Sequence, residues 1–316
     1  MDASDLLRGA LLHISDSDTV RTVVEKAPMS RAVVARYVAG ESVADAVSTT
    51  ADLRGSNRLV TIDHLGEDVT DRAQAEQTRD TYLALLEALA EADLARFGAG
   101  EVSVKLSAVG QAIPGDGDAI ALENARAICE TAERVGTTVT LDMEDHTTTD
   151  RTLETLRTLR ADFPWVGAVL QAYLRRTEAD CRDLATEGSR VRLCKGAYKE
   201  PESVAFQGGR DVDLSYVRCL KVLMAGDGYP MVATHDPRLV EIAQALAGHH
   251  DRRPDSYEFQ MLLGVRDLEQ KRIADRGHQM RVYVPFGEDW YGYLVRRLAE
   301  RPANVRFFLR SLASNG

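Results

Sequence analysis

The chain has 316 residues, 44% of them hydrophobic and 28% charged, the balance of a soluble globular protein with room for one large domain or two ordinary ones. A formal net charge of −10 argues against nucleic acid or anionic lipid as the main partner. Four cysteines without C-x-x-C spacing argue against a zinc site or a disulfide framework, and no run of about 18 apolar residues could span a bilayer.

The first residues carry acids early and lack a basic segment ahead of a long apolar core, so no secretory signal is read and a reducing, cytoplasmic setting is expected. Peripheral membrane contact stays open. Residues 1–54 read as short helices, an N-terminal helical segment expected to pack on the larger domain after it. After Gly55, short Val/Ile/Leu-rich runs alternate with longer amphipathic segments. The predicted strands are Arg58–Ile62, Glu101–Leu106, Thr138–Asp142, Gly167–Ala172, Arg190–Cys194, Pro230–Thr234, Ser256–Met261 and Gln279–Val284. The predicted helices between and after them are Ala73–Ala92, Ile120–Val135, Arg151–Asp162, Glu178–Thr186, Leu214–Met224, Pro237–Ala247 and Leu268–Arg276, with a last one over Asp289–Arg301.

Eight strands each followed by a helix imply parallel pairing, because every return needs a crossover. Eight units over residues 55–316 suit an α/β fold of the (β/α)8 TIM-barrel type, with the final helix over the C-terminal mouth. A doubly wound open sheet is the structural alternative. No G-x-G-x-x-G follows any strand, so nucleotide binding in the Rossmann manner has no support.

In a barrel, function gathers at the C-terminal ends of the strands. Those ends carry Glu67, Lys105, Asp142 with Met143, Glu144 and Asp145, Gln171 with Tyr173, Arg192 with Lys195–Tyr198, Thr234 with His235, Glu258 with Gln260, and Arg281 with Tyr283. Period-2 alternation sets Lys105 and Arg192 opposite the apolar positions of their strands. A cation inside a parallel barrel is costly without a partner or ligand, so structural pairs such as Lys105–Asp142 or Arg192–Glu258 compete with a functional cleft. Asp142, Glu144 and Asp145 are read as acids starting a helix, where they complement its dipole, and no metal site is expected.

The last helix sharpens the functional reading. Tyr291, Leu294, Val295 and Leu298 form one apolar stripe, while Tyr293, Arg296, Arg297 and Glu300 share another face. Two neighbouring guanidinium forks suit a planar carboxylate or a phosphate.

Taken together, LGE at 65–67, VKLSA at 104–108, LDMED at 141–145, LQAY at 170–173, RLCKGAY at 192–198, ATHD at 233–236, YEFQML at 257–262, RVYVPFG at 281–287 and YLVRRLAE at 293–300 resemble the monofunctional bacterial proline dehydrogenases. The same barrel occurs inside bifunctional proline-utilisation proteins. The resemblance implies FAD as cofactor, oxidation of L-proline to Δ1-pyrroline-5-carboxylate by hydride transfer to flavin N5, and a quinone or other acceptor for the electrons. It implies that Lys105, Arg296 and Arg297 bind the proline carboxylate, that Tyr283 packs on the substrate ring with Tyr293 in support, and that Glu67 pairs with Arg296 as a gate. Asp142 would orient the polar site and Arg192 would lie by flavin N5. Met143, Gln171, Lys195, Gly196, Ala197, Thr234 and His235 would hold the cofactor. Met143 and Lys199 depart from the pattern of the bifunctional relatives. A Schiff-base lyase built on Lys105 or Lys195 and a non-catalytic binding barrel are the competing readings.

Overall fold

The computed structural model describes residues 34–299, except the side chains of residues 97 and 295–299. The first two N-terminal helices expected from the sequence lie outside the described residues. Helix α1 (Val43–Arg54) starts at a capping box: Ser42 Oγ accepts from Asp45 N at 3.2 Å, and Asp45 Oδ2 accepts from Ser42 N at 3.0 Å. Its Ala46 and Leu53 enter the main core.

Eight strands then alternate with helices: β1 (Leu59–His64), α2 (Arg72–Glu91), β2 (Gly100–Val104), α3 (Gly117–Val135), β3 (Val139–Leu141), α4 (Thr149–Arg160), β4 (Gly167–Gln171), α5 (Thr177–Leu184), β5 (Arg190–Cys194), α6 (Gly209–Ala225), β6 (Tyr229–Ala233), α7 (Pro237–His249), β7 (Glu258–Leu262), α8 (Asp267–Asp275), β8 (Gln279–Phe286) and α9 (Trp290–Ala299). Every strand pairs in parallel with the next, and β8 returns to β1, closing the barrel. The TIM-type barrel expected from the alternation is thus the observed fold. The predicted and observed strands agree to within two residues at each end.

The helices are held outside by alternating apolar positions. On α2, Ala75, Tyr82, Leu85, Leu86 and Leu89 are buried against the strands. The outward strand residues Val60, Ile62, Val102, Val104, Val139 and Leu141 meet that layer, leaving the other alternation to face inward.

The interior of this barrel is ionic. Contacts between strands that are not neighbours in a closed barrel can run only through its centre. Arg190 on β5 reaches Glu101 on β2 at 2.6 Å, and Arg192 on β5 reaches Ser103 at 2.9 Å and Thr61 at 3.4 Å. Arg281 on β8 forks onto Glu258 on the adjacent strand at 2.7 and 3.0 Å, and stands 3.8 Å from Glu101. Arg192 is also 3.8 Å from Glu101. Glu101 is therefore a shared carboxylate, further satisfied by Thr138 at 2.6 Å and Thr140 at 3.3 Å. Burial alone would raise its pKa, but Arg190, Arg281 and Arg192 outweigh burial and hold it well below the ordinary carboxylate value.

Replacing Glu101 by Gln should destabilise the fold by about 3–5 kcal/mol, because it leaves guanidinium charge buried and uncompensated. Chemical denaturation at neutral pH measures this. The sign with pH follows from the lowered native pKa: below the unfolded value near 4.5 the unfolded chain binds the extra proton, so the Glu101 contribution is complete above that value and is lost on acidification. The gap between wild type and Glu101→Gln should therefore narrow as pH falls from 6 toward 3 (about three units).

Candidate active site

Above the shared glutamate, the inward positions at the C-terminal ends of the strands converge. Lys105, just past the end of β2, meets Asp63 of β1 at 2.6 Å, with its side chain 12% exposed and that of Asp63 1%. Asp142, just past β3, accepts from Arg192 Nη1 at 2.6 Å through Oδ1 and from the Tyr283 hydroxyl at 2.8 Å through Oδ2. The Arg192 guanidinium also lies over the Tyr283 ring, 5.4 Å from its centroid. The structure thus brings together Lys105, Asp142, Arg192 and Tyr283.

The pairing differs from that suggested by strand order. Lys105 pairs with Asp63 rather than Asp142, and Arg192 pairs with Asp142 rather than Glu258, which Arg281 already occupies. The reason is register: Asp63 lies directly across from Ser103, two residues before Lys105 on the same face. Burial and the nearby Asp142 charge push the Asp63 carboxyl up against the pull of Lys105. Burial opposes the Lys105 charge, but Asp63 and Asp142 override it and keep the ammonium above its ordinary pKa. Burial, reinforced by Asp142, raises the Tyr283 pKa well above its usual value, so the phenol stays a donor.

The acids after β3 also behave differently from the expectation. Helix α4 begins only at Thr149, and the three carboxylates diverge. Asp142 faces Arg192, Glu144 accepts from Ser107 N at 3.1 Å and Oγ at 2.5 Å, and Asp145 caps the turn at Thr147. Ser107 in addition accepts from Asp68 N at 3.1 Å and, through its carbonyl, from Val69 N at 3.1 Å. It thereby ties together the loops after β1, β2 and β3. Half-buried Glu67 lies in the first of these, near enough for its charge to help keep Lys105 protonated.

Around the mouth lie the other expected positions. Gln171 donates to the Glu144 carbonyl at 2.7 Å, and Met143 packs into the core, 7% exposed. Lys195 is half-buried between Asp213 at 2.6 Å and Asp236 at 3.4 Å. Asp236 is at the same time the N-cap of α7, accepting from Arg238 N at 3.0 Å. Ala197 is exposed. Thr234 Oγ1 accepts from Asp236 N at 3.1 Å, and His235 Nε2 accepts from Leu262 N at 3.0 Å, which fixes that nitrogen as the unprotonated one.

Gly196 is required by its surroundings. It has φ +109°, and a Cβ there would clash with the Tyr173 ring, because Tyr173 N pairs with the Lys195 carbonyl at 2.9 Å and draws the two segments together. The Tyr173 hydroxyl donates to Glu200 at 3.2 Å, and Glu200 also holds His146 through its backbone N and its ring.

The final helix packs on the loop that follows β1. Trp290, Tyr291, Tyr293 and Leu294 are buried together with Tyr37 and Val38, which precede α1, and with Leu65 of the loop after β1, so Tyr293 joins the apolar cluster rather than a separate polar face. The side chains of Arg296 and Arg297 lie outside the described residues, as do those of Val295 and Leu298. The member of this cluster that sequence reasoning passed over is Asp63. Its signal was an acid continuing the inward alternation of Thr61.

Residues 46–310 match the family model "Proline dehydrogenase". The chain is 37% identical to proline dehydrogenase 1 of Bacillus subtilis (strain 168) over 307 residues, covering 97% of this chain and 99% of that one. It is 37% identical over 309 residues to the proline dehydrogenase of Deinococcus radiodurans, covering 97% and 98%. Bifunctional protein PutA of Escherichia coli (strain K12) is 28% identical over 313 residues, and the match spans only 24% of that longer protein. Proline utilization A from Bdellovibrio bacteriovorus shares the fold, with a TM-score of 0.78 at 24% identity over 91% of this chain and 38% of that one.

Gly196→Ala should cost about 1–3 kcal/mol by forcing a residue with a Cβ into a left-handed conformation against the Tyr173 ring. A shift in the denaturant midpoint at unchanged m-value is the measurement. The chain belongs to the proline dehydrogenase family, in its monofunctional bacterial branch.

Proposed function

We propose that this chain oxidises L-proline to Δ1-pyrroline-5-carboxylate, the first step of proline degradation to glutamate, with FAD as its cofactor and a quinone or another acceptor taking the electrons onward. The observation that carries the reading is the meeting of Lys105, Asp142, Arg192 and Tyr283 inside the mouth of a proline dehydrogenase barrel. The same reading puts the enzyme in the cytoplasm, touching the inner face of the membrane where a quinone is met.

The residues fit a flavin. Among the described residues Arg192 Nε is buried without an acceptor, so a polar ring edge beside it would satisfy that donor. The chain turns at Gly196 without a side chain, and Lys195 is the adjacent cation. Met143, Gln171, Lys195, Gly196, Ala197, Thr234 and His235 would hold the cofactor, with Arg192 beside its reacting edge. When bound, FAD supplies the two-electron acceptor, taking hydride at N5.

The chain's own contribution is to fix the substrate and its charges. Lys105, Arg296 and Arg297 take the carboxylate, and fixing that end fixes the direction of the ring C–H bond that breaks. The lone pair of the unprotonated amine closes the C=N bond as that hydrogen leaves with its electron pair, and the remaining N–H proton goes to solvent. Tyr283 presents its ring to the substrate while Asp142 holds its hydroxyl, and Tyr293 supports the helix above. Arg192, anchored by the same Asp142, places a positive charge where negative charge accumulates. Glu67 would close over bound substrate by pairing with Arg296. A Schiff-base role for Lys105 is disfavoured, since such a lysine needs a depressed pKa and this one is held protonated.

The decisive experiment is visible absorption of the purified protein under anaerobic conditions, before and after L-proline. An oxidised-flavin spectrum that bleaches is expected; a protein that takes up no FAD, or whose flavin proline leaves oxidised, overturns the reading. Arg297→Met should weaken proline binding about 100-fold, roughly 3 kcal/mol, with FAD retained. Unchanged proline affinity in that variant would remove Arg297 from the site. Arg192→Met should change the flavin spectrum or slow its reduction by about tenfold or more, and wild-type behaviour would exclude Arg192 from the flavin's surroundings.

A further inference from the structure

The charge on Lys105 sits at the end of four flexible methylenes, and an ammonium has three donors that rotate freely. What holds it is Asp63. The carboxylate lies at the C-terminal end of β1, 1% exposed, with Oδ2 at 2.6 Å from Nζ. Its own position is set by the scaffold on both sides. The β1–β2 register puts Asp63 across from Ser103. Behind them, Tyr82 of α2, wholly buried, donates to the Ser103 carbonyl at 2.8 Å, accepts from His64 N at 3.1 Å and approaches Asp63 Oδ1 at 3.4 Å. One phenol from the outer helix thereby locks the two strand ends that carry the acid and the lysine.

Building on the proposed proline dehydrogenase reading, we infer that Asp63 is a positioning residue for that reaction, acting through Lys105 to aim its two remaining N–H donors at the substrate carboxylate. An ion pair that is net neutral adds little long-range attraction for an anion. Its benefit is direction and a retained proton, because the alternative is a partly buried lysine with a mobile head. The ionisable groups facing Lys105 are Asp63, His64 and Glu67 from β1 and its loop, and Asp142 and Glu144 from the segment after β3, while Tyr283 from β8 faces Asp63 itself. Among them Asp63 makes the hydrogen-bonded pair, and Asp142 is committed to Arg192.

The test is steady-state and rapid-reduction kinetics of the FAD-loaded full chain with L-proline, across pH, for Asp63→Asn, Lys105→Met and the double variant. Asp63→Asn should raise the KM for proline roughly tenfold or more with a smaller change in kcat. The alkaline limb of kcat/KM should move down by about one pH unit, as Lys105 loses the carboxylate that keeps it protonated. In the Lys105→Met background the Asp63→Asn change should vanish, since a residue acting through Lys105 has nothing left to act on. An unchanged KM and alkaline limb in Asp63→Asn, or the same effect with and without Lys105, overturns the inference. Should Asp63→Asn fail to fold, Asp63→Glu keeps the charge but moves it by one methylene: a raised KM with the alkaline limb in place supports the positioning role, and a wild-type KM overturns it. Failure of the functional reading is distinct, because it appears in the wild-type chain as flavin that proline leaves oxidised.

Discussion

Charge balance inside a closed barrel governs this molecule. Among the described residues, Asp63, Glu101, Asp142 and Glu258 face Lys105, Arg190, Arg192 and Arg281 across a centre that in many such barrels is filled by branched aliphatic side chains. No member of the set is affordable alone, for an uncompensated charge in such a place costs several kcal/mol. The lower half of the interior, around Glu101 and Glu258, lies toward the N-terminal ends of the strands. The upper half, around Asp63 and Asp142, is open to the mouth and keeps donor capacity on Lys105 and Arg192. The candidate site is thus the top of an ionic column that continues below it, with Arg192 between Asp142 and Glu101.

The outer shell obeys ordinary rules by contrast. Apolar alternation on the strands and an apolar stripe on each helix bury a continuous layer between barrel and helices. The site therefore depends on two packings with different physics: an apolar one that closes the barrel and an ionic one that fills it. Tyr82 belongs to both, its ring in the outer layer and its hydroxyl among the strand ends.

Much of this was legible in the residues. The alternation of strand and helix patterns gave eight units and a barrel, and the inward cations were visible as Lys105 and Arg192 breaking apolar strands. The partners were less so. Which acid meets Lys105 depends on register between strands 40 residues apart in sequence, and register is not written in either strand alone. Ending the first strand at Ile62 put Asp63 in a loop, where an acid draws no notice. The acids after β3 resemble helix-starting residues because their density before an amphipathic segment is a helix signal, but Ser107 and Arg192 claim two of them. The paired arginines near the end were found from spacing and resemblance, and their side chains lie outside the described residues.

Because several of the interior charges answer to more than one partner, the inner positions form a single unit of inheritance rather than independent sites. Glu101 serves three guanidinium groups, so an exchange at β5 or β8 alters what is tolerable at β2. Variation there has to arrive in compensating combinations, whereas the outward aliphatic positions accept one-at-a-time exchange of similar volume. A chain built this way drifts freely on its surface and in its helical shell while its centre is confined to few electrostatic solutions. That epistasis would let relatives diverge widely in sequence around an interior that changes slowly.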